Sequence, residues 1–110
     1  MATPTDPSAV TVVDAPEESR FEIRVDGALA GFATYRLKDH GALVSVLHTE
    51  IDEAYAGQGL AKRLAEQVLA DLRADGRRIL PFCPFFRGYL AKHPDQVDLV
   101  PAERRADFDL

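Results

Sequence analysis

The feature that most constrains the fold is a change in the spacing of apolar residues near residue 56. Before this point apolar and polar residues alternate, which is typical of half-buried β-strands. After it, Leu60, Leu64, Val68 and Leu72 recur every four residues with charged residues between them, which is the pattern of an amphipathic helix. One such change within 110 residues predicts a single domain in which a helix covers one face of a sheet.

Three strand patterns precede the helix. Residues 20–25 alternate in polarity, Asp26-Gly27 is a hairpin signal, and residues 29–37 are rich in residues that favour strands. The third run, residues 42–51, has apolar side chains on both faces, which is typical of a central strand. We therefore expect an antiparallel β-meander of three strands.

A further strand pattern, at residues 78–82, follows the helix, which Gly76 is suited to end. Strand, helix and strand in this order predict a right-handed crossover, with residues 78–82 parallel to residues 42–51. Residues 85–92 predict a short helix, and residues 97–100 a last strand. The expected fold class is α+β (mixed α/β), an antiparallel β-meander followed by a βαβ crossover.

Both ends of the chain are predicted to lie outside the folded domain. Residues 1–19 are expected to form a flexible N-terminal tail, because residues 10–13 have a strand pattern that residues 14–19 interrupt with Asp, Pro, Glu and Ser. Residues 20–101 are the predicted domain. The charged residues 102–110 are expected to form a loose C-terminal tail.

Composition excludes several classes of function. The formal net charge is −5, from 18 acidic and 13 basic residues, which argues against a nucleic-acid-binding protein. No apolar run approaches the roughly 20 residues of a membrane span. The single cysteine, Cys83, allows neither an internal disulfide nor a multi-cysteine metal site. With no leader-like start, we expect a cytoplasmic protein that uses no metal; its oligomeric state is left open.

The segment Ala56-Gly57-Gln58-Gly59-Leu60-Ala61 lies between a central strand and the helix. Small residues there let another molecule approach the backbone, and the first amides of a helix carry partial positive charge. Together they predict a cradle for a pyrophosphate, beside the cation of Lys62. Taken alone, the segment fits a tight turn equally well. It is neither a P-loop, since Gly-Lys-Ser/Thr is absent, nor the dinucleotide fingerprint, which has glycine where Lys62 stands.

Three separated motifs resemble the GCN5-related N-acetyltransferase superfamily, especially its very short members. They are His48-Thr49-Glu50-Ile51, the glycine segment above, and Cys83-Pro84-Phe85 leading to Tyr89-Leu90-Ala91-Lys92-His93-Pro94. Gly59 and Ala61 match the last two positions of the superfamily's Gln/Arg-x-x-Gly-x-Gly/Ala signature. Ala56 departs from its first position, which removes one side-chain contact to the ligand. The resemblance covers about residues 20–100.

The resemblance implies a compact fold of that superfamily, with acetyl-CoA as co-substrate and an unidentified amine as acceptor. The cofactor would lie where the strands at 42–51 and 78–82 splay apart. Its pyrophosphate would lie on the amides of Gly57, Gln58, Gly59, Leu60 and Ala61, near Lys62, and its pantetheine arm against the backbone near Ile51. The alternative is a non-catalytic module that binds acetyl-CoA or a partner protein.

An acceptor amine must lose a proton during attack on the thioester, so the site needs a base. His48 and Glu50, two residues apart on one strand, share a face and are the candidates for this base. The alternative is that Glu50 is a surface carboxylate and His48 a core imidazole.

Cys83 either accepts the acetyl group itself or only shapes the pocket. Its apolar sequence neighbours disfavour a thiolate, so direct transfer is preferred. Tyr89 is a further candidate, to protonate the CoA thiolate, although packing explains it more simply.

Overall fold

The computed structural model describes residues 9–110, so residues 1–8 of the expected N-terminal tail lie outside the described part. The strands are β1 (Val10–Ala15), β2 (Arg20–Val25), β3 (Ala28–Lys38), β4 (Leu43–Ile51) and β5 (Arg78–Pro81), and the α-helices are α1 (Leu60–Ala74) and α2 (Pro84–Lys92). Short 3₁₀ segments span Pro16–Glu18, Asp39–Gly41, Glu53–Tyr55, Pro94–Leu99 and Ala102–Phe108.

The strands form one sheet in the order β1-β2-β3-β4-β5. The first four are antiparallel to their neighbours, and β5 runs parallel to β4 after the helical crossover. This confirms the predicted α+β class and the meander followed by a βαβ unit.

The core lies between the sheet and α1. Phe21 and Ile23 of β2, with Val44 and Val46 of β4, are buried on the face that α1 covers. The residues of α1 that are buried are those at helical spacing: Leu60, Leu64, Ala65, Val68, Leu69 and Leu72. Apolar burial is the main stabilising contribution in a domain of this size.

The N-terminal boundary predicted from the sequence is wrong for residues 10–15, which form β1. This strand pairs with β2 from Val10↔Val25 to Ala15↔Arg20. The polar residues after β1 are compatible with the strand, because Pro16–Glu18 forms the 3₁₀ turn that connects β1 to β2. The Tyr35 hydroxyl of β3 donates a hydrogen bond of 2.6 Å to the Asp14 carboxylate, which links β1 to the middle of the sheet.

The C-terminal prediction is also wrong in two respects. Pro94–Leu99 is a 3₁₀ segment rather than the expected strand, because Pro94 suits the start of a helical turn and Arg73 of α1 binds the Asp98 carboxylate at 2.8 Å. The segment Ala102–Phe108 is ordered rather than loose, since the Phe108 ring is buried.

Candidate functional site

The pairing of β4 with β5 stops well before β4 ends. Their pairing ends at Val46↔Pro81, after which the Cys83 amide donates to the Val46 carbonyl at 2.9 Å. β4 continues to Ile51, so within residues 9–110 its last five positions have no β5 residue opposite them. This gap beside the end of β4, the wedge, lies where the resemblance implies that the two strands splay apart.

A bulge in β4 lies at the mouth of the wedge. Thr34 of β3 pairs with His48, while the next residue, Tyr35, pairs with Val46, so Leu47 is an extra residue. A bulge re-aims the side chains that follow it. As a result Thr49 pairs with Ala33 of the buried, α1-covered face, whereas His48 and Glu50 occupy the opposite, outer face.

His48 and Glu50 are brought together as predicted. The His48 Nε2 and Glu50 Oε1 atoms are 3.3 Å apart, and both side chains are 60% exposed. The alternative of a buried core imidazole is therefore wrong. The pair is accessible to an acceptor from solvent, and its two basic groups lie within hydrogen-bonding distance of each other.

Cys83 lies on the other side of the sheet from this pair. It is a free, buried thiol at the start of α2, and its Sγ is 3.2 Å from the Thr49 hydroxyl. Because Thr49 faces the opposite side of β4 from His48 and Glu50, the Cys83 thiol is not next to either of these two side chains. Thr49 belongs to the His48-Thr49-Glu50-Ile51 motif, but no sequence pattern indicates its contact with Cys83, because the contact joins segments 34 residues apart.

The glycine segment has the geometry of an open cradle. Gly57 and Gly59 have φ of 80° and 72°, and a Cβ placed on either would meet no atom within 4 Å. α1 begins at Leu60, and the first backbone bond into it runs from the Arg63 N–H to the Gly59 carbonyl at 3.2 Å. The amides of residues 60–62 therefore precede the helical ladder and are positioned to donate to an anion.

The side chains of this segment differ in what they offer. Leu60 is buried in the core, so its main chain alone can reach a ligand. Ala61 is half-buried, and Gln58 is exposed. Lys62 is exposed, with its Nζ 3.9 Å from Glu66 one turn along α1, which is a weak surface pair that leaves the ammonium able to reorient.

Tight packing of β3 fixes the end of β4. A Cβ on Gly31 would lie 2.5 Å from the Glu50 carbonyl oxygen and 2.5 Å from Ile51 Cδ1. The half-buried Ile51 therefore packs against the main chain of Gly31, where any side chain would collide with it. No pattern in the sequence indicates this requirement, since Gly31 lies within an otherwise regular strand segment.

A cleft of about 480 Å³ lies between α1 and α2, next to the cradle. Its lining residues are Lys62, Pro84, Phe85, Gly88, Tyr89, Lys92 and His93. The Tyr89 and His93 rings stack with centroids 3.9 Å apart, and burial raises the pKa of the Tyr89 hydroxyl above its usual value. The ring stacking supports packing as a role of Tyr89.

Comparisons with known proteins agree with this architecture. The family described as GCN5-related N-acetyl-transferase matches residues 20–99, and the chain belongs to this family. The solution NMR structure of a GCN5-like candidate N-acetyltransferase from Staphylococcus aureus has the same fold: the TM-score is 0.62 at 24% identity, over 86% of this chain and 90% of that one.

Ard1 from Thermoplasma volcanium is a more distant match, with a TM-score of 0.45, 21% identity, and coverage of 56% of this chain and 40% of that one. No similar protein was found among curated sequences. Within residues 9–110, no cluster of three His, Cys, Asp or Glu side chains is arranged to hold a metal ion, and neither helix is long and apolar enough to cross a membrane.

Proposed function

We propose that this protein is an acetyl-CoA-dependent N-acetyltransferase that transfers the acetyl group directly to an amine. The observation that carries the proposal is the wedge at the end of β4, together with the glycine cradle that follows β4 in the chain and leads into α1. Acetyl-CoA needs a slot that admits its pantetheine arm and an anion site that holds its phosphates. Membership of the acetyltransferase family supports acetyl-CoA as the donor.

In this proposal the pyrophosphate lies on the amides of Gly57 to Ala61, with Lys62 as the nearby cation. The pantetheine arm extends along the unpaired edge of β4 near Ile51, where backbone donors and acceptors have no β5 partner within the described residues. The acetyl group then reaches the bulge at Leu47, next to the positions of both candidate bases.

Transfer requires the amine nitrogen to form a bond to the acetyl carbon while the bond to the CoA sulfur breaks. Glu50, with His48 beside it at 3.3 Å, is the proposed acceptor of the proton that the amine loses. The CoA thiolate leaves and takes a proton from solvent or from a nearby donor such as Tyr89. Both bases are exposed, which suits a soluble acceptor that arrives after the donor.

Cys83 is proposed to shape the pocket rather than to carry the acetyl group. A nucleophilic cysteine is activated by an adjacent base or cation. The polar contact of Cys83 is instead the Thr49 hydroxyl at 3.2 Å. A free thiol suits a reducing compartment, and location in the cytoplasm stays a prediction.

The experiment is incubation of the protein with acetyl-CoA and a panel of amines, with free CoA and acetylated product measured by mass spectrometry. Thermal unfolding with acetyl-CoA is measured in parallel, because a ligand at a hundred times its Kd adds about 2.7 kcal/mol to the free energy of unfolding. We expect both product and a shift in Tm. Stabilisation without product from any amine would favour the non-catalytic module, and no stabilisation would contradict acetyl-CoA binding.

A further inference from the structure

A charged network lies on the outer face of the sheet, on β2. The Glu22 side chain is only 5% exposed and accepts hydrogen bonds from two arginines, Arg20 Nε at 2.8 Å and Arg24 Nη2 at 2.6 Å. Hydrogen bonds from Arg24 and then Arg20 hold the pKa of Glu22 below its usual value. Two guanidinium groups therefore share one carboxylate, and this group of three side chains has a net charge of about +1.

Arg20 is held in a defined position. Its guanidinium carbon lies 4.8 Å from the centroid of the Phe32 ring, within the range of a cation–π contact. Together with the bond to Glu22, this contact fixes a planar cation on the sheet surface. Arg24 is directed elsewhere, since its Nη1 donates to the Gly27 carbonyl in the β2–β3 turn at 3.3 Å.

The register of the sheet brings this cation next to the candidate bases. Phe32, which Arg20 covers, pairs directly with Glu50. Thr34 pairs with Arg20 on one side and with His48 on the other. Neighbouring strands are about 4.8 Å apart, so the guanidinium over Phe32 lies roughly one strand from the column that carries both bases.

We propose that the acceptor is a small amine that also carries a carboxylate, a conclusion that rests on the proposed acetyltransferase function. Its carboxylate accepts hydrogen bonds from Arg20, while its ammonium group lies at Glu50 and His48 and gives up its proton there. The charges of such an acceptor complement the face at both ends. The distance of about one strand spacing suits an amine and a carboxylate separated by a few carbon atoms.

Amines that lack a carboxylate are expected to be poorer acceptors. Phe32 and Thr34 offer no counter-charge between β2 and β4, so an amine without a carboxylate is held at one end only. A charge-assisted bond to arginine is stronger than a neutral hydrogen bond and more specific in direction. Positioning of the nitrogen against the thioester then depends on Arg20.

The test compares γ-aminobutyrate with γ-aminobutyramide, in which an uncharged carboxamide replaces the carboxylate, as acceptors for the unaltered protein and for Arg20→Gln and Arg24→Gln. Each variant removes one of the two partners of Glu22, so Arg24→Gln is the matched control. We expect the unaltered protein and Arg24→Gln to prefer the carboxylate by about tenfold or more in kcat/KM. Arg20→Gln is expected to lose the preference, through a decrease in kcat/KM with γ-aminobutyrate that Arg24→Gln does not show.

Equal kcat/KM for the two acceptors in the unaltered protein would overturn the inference and leave the proposed function intact. This comparison needs no variant, so it decides the matter even if Arg20→Gln fails to fold. If no amine is acetylated, the proposed function fails. Binding of γ-aminobutyrate to the protein with CoA is then followed by NMR: shifts at Arg20 and Phe32 that the amide does not produce support the acceptor site, and their absence overturns it.

Discussion

At the scale of single residues, the two faces of β4 offer different chemistry. His48 and Glu50 are exposed on the outer face, 3.3 Å from each other. Thr49, between them in sequence, faces the helices and contacts the buried Cys83 sulfur at 3.2 Å. A base on the outer face can take a proton from an arriving amine, but the sheet separates it from the thiol. This geometry favours direct transfer over an acetyl-cysteine intermediate.

We predict that Glu50→Gln lowers kcat more than Cys83→Ala does. A general base contributes on the order of 10²–10⁴ in rate, and His48 can replace Glu50 in part, so we expect a loss of about tenfold to a hundredfold. Cys83→Ala should retain measurable turnover, because it removes a small buried group rather than a reacting one. Steady-state kinetics with an amine identified as an acceptor measure both effects.

Intact-mass spectrometry is the check on the same prediction. With acetyl-CoA alone and no acceptor, we expect no stable acetyl adduct on Cys83. A prompt gain of one acetyl group at that residue, lost when the amine is added, would mean that Cys83 is the nucleophile and that transfer takes two steps.

A second residue-scale prediction concerns acid stability. Because Arg24 and Arg20 lower the folded-state pKa of Glu22 below its ordinary 4.5, the ionised carboxylate stabilises the fold above that pH. This contribution disappears as pH falls through the folded-state pKa. Urea unfolding from neutral pH to about pH 3 should therefore show a smaller acid-induced loss for Glu22→Gln than for the unaltered protein, together with a lower stability at neutral pH. Parallel curves for the two proteins would contradict this assignment.

At the scale of elements, the sequence predicted the regular part of the fold well. Alternating residues marked β2 and four-residue spacing marked α1, because these periods follow directly from strand and helix geometry. Residues that favour strands marked β3. The parallel pairing of β4 with β5 followed from the order strand, helix, strand. The same alternation placed His48 and Glu50 on one face, so their proximity needed no tertiary information.

The elements that the sequence missed depend on contacts between distant segments. β1 was discounted because polar residues follow it, yet those residues form its turn and Asp14 binds Tyr35 across the sheet. The bulge at Leu47 and the Thr49–Cys83 contact arise from how β3 and β5 meet β4. No local pattern in the sequence specifies such a register.

The cradle before α1 gives an element-scale prediction with a closely matched control. Asn and Asp have nearly the same shape and both tolerate the positive φ of 72° at Gly59. In Gly59→Asp a carboxylate would face the pyrophosphate at the helix start, whereas Gly59→Asn adds a similar volume without charge. We expect Gly59→Asp to abolish binding of acetyl-CoA by calorimetry and Gly59→Asn to weaken it less. Equal affinity of both variants and the unaltered protein would mean that the phosphates bind elsewhere.

At the scale of the whole molecule, the core extends beyond the residues that match the family. The match spans residues 20–99, but Ala15, Val100 and Phe108 are buried outside it. The Phe108 ring is 2% exposed and meets Phe82 edge to face, with centroids 5.2 Å apart. In a domain this small, these terminal segments supply a notable part of the buried apolar surface.

Phe108→Ala is accordingly expected to destabilise the protein by about 3 kcal/mol or more, the usual effect of removing a buried ring. Glu103→Ala, an exposed position in the same 3₁₀ segment, is the control and should change stability little. Chemical denaturation of the two variants measures the difference. A Phe108→Ala protein as stable as the control would mean that the C-terminal segment contributes nothing to the core.

The last prediction concerns the N-terminal edge of the sheet. Deletion of residues 1–9 removes a polar stretch with little apolar surface and one backbone hydrogen bond, from the Asp26 N–H to the Ala9 carbonyl at 3.0 Å, so Tm should change little and acetyl-CoA affinity should not change. Deletion of residues 1–15 also removes β1, which leaves β2 as an unpaired edge and deprives the Tyr35 hydroxyl of its Asp14 partner. Since about 1 kcal/mol corresponds to several degrees of Tm in a domain of this size, we expect deletion of residues 1–15 to lower Tm by about 10 °C or more.

Thermal unfolding of the two shortened chains and the full chain tests this directly. Equal Tm values for all three proteins would show that β1 does not stabilise the sheet. The same decrease in both shortened chains would assign the stabilisation to residues 1–9.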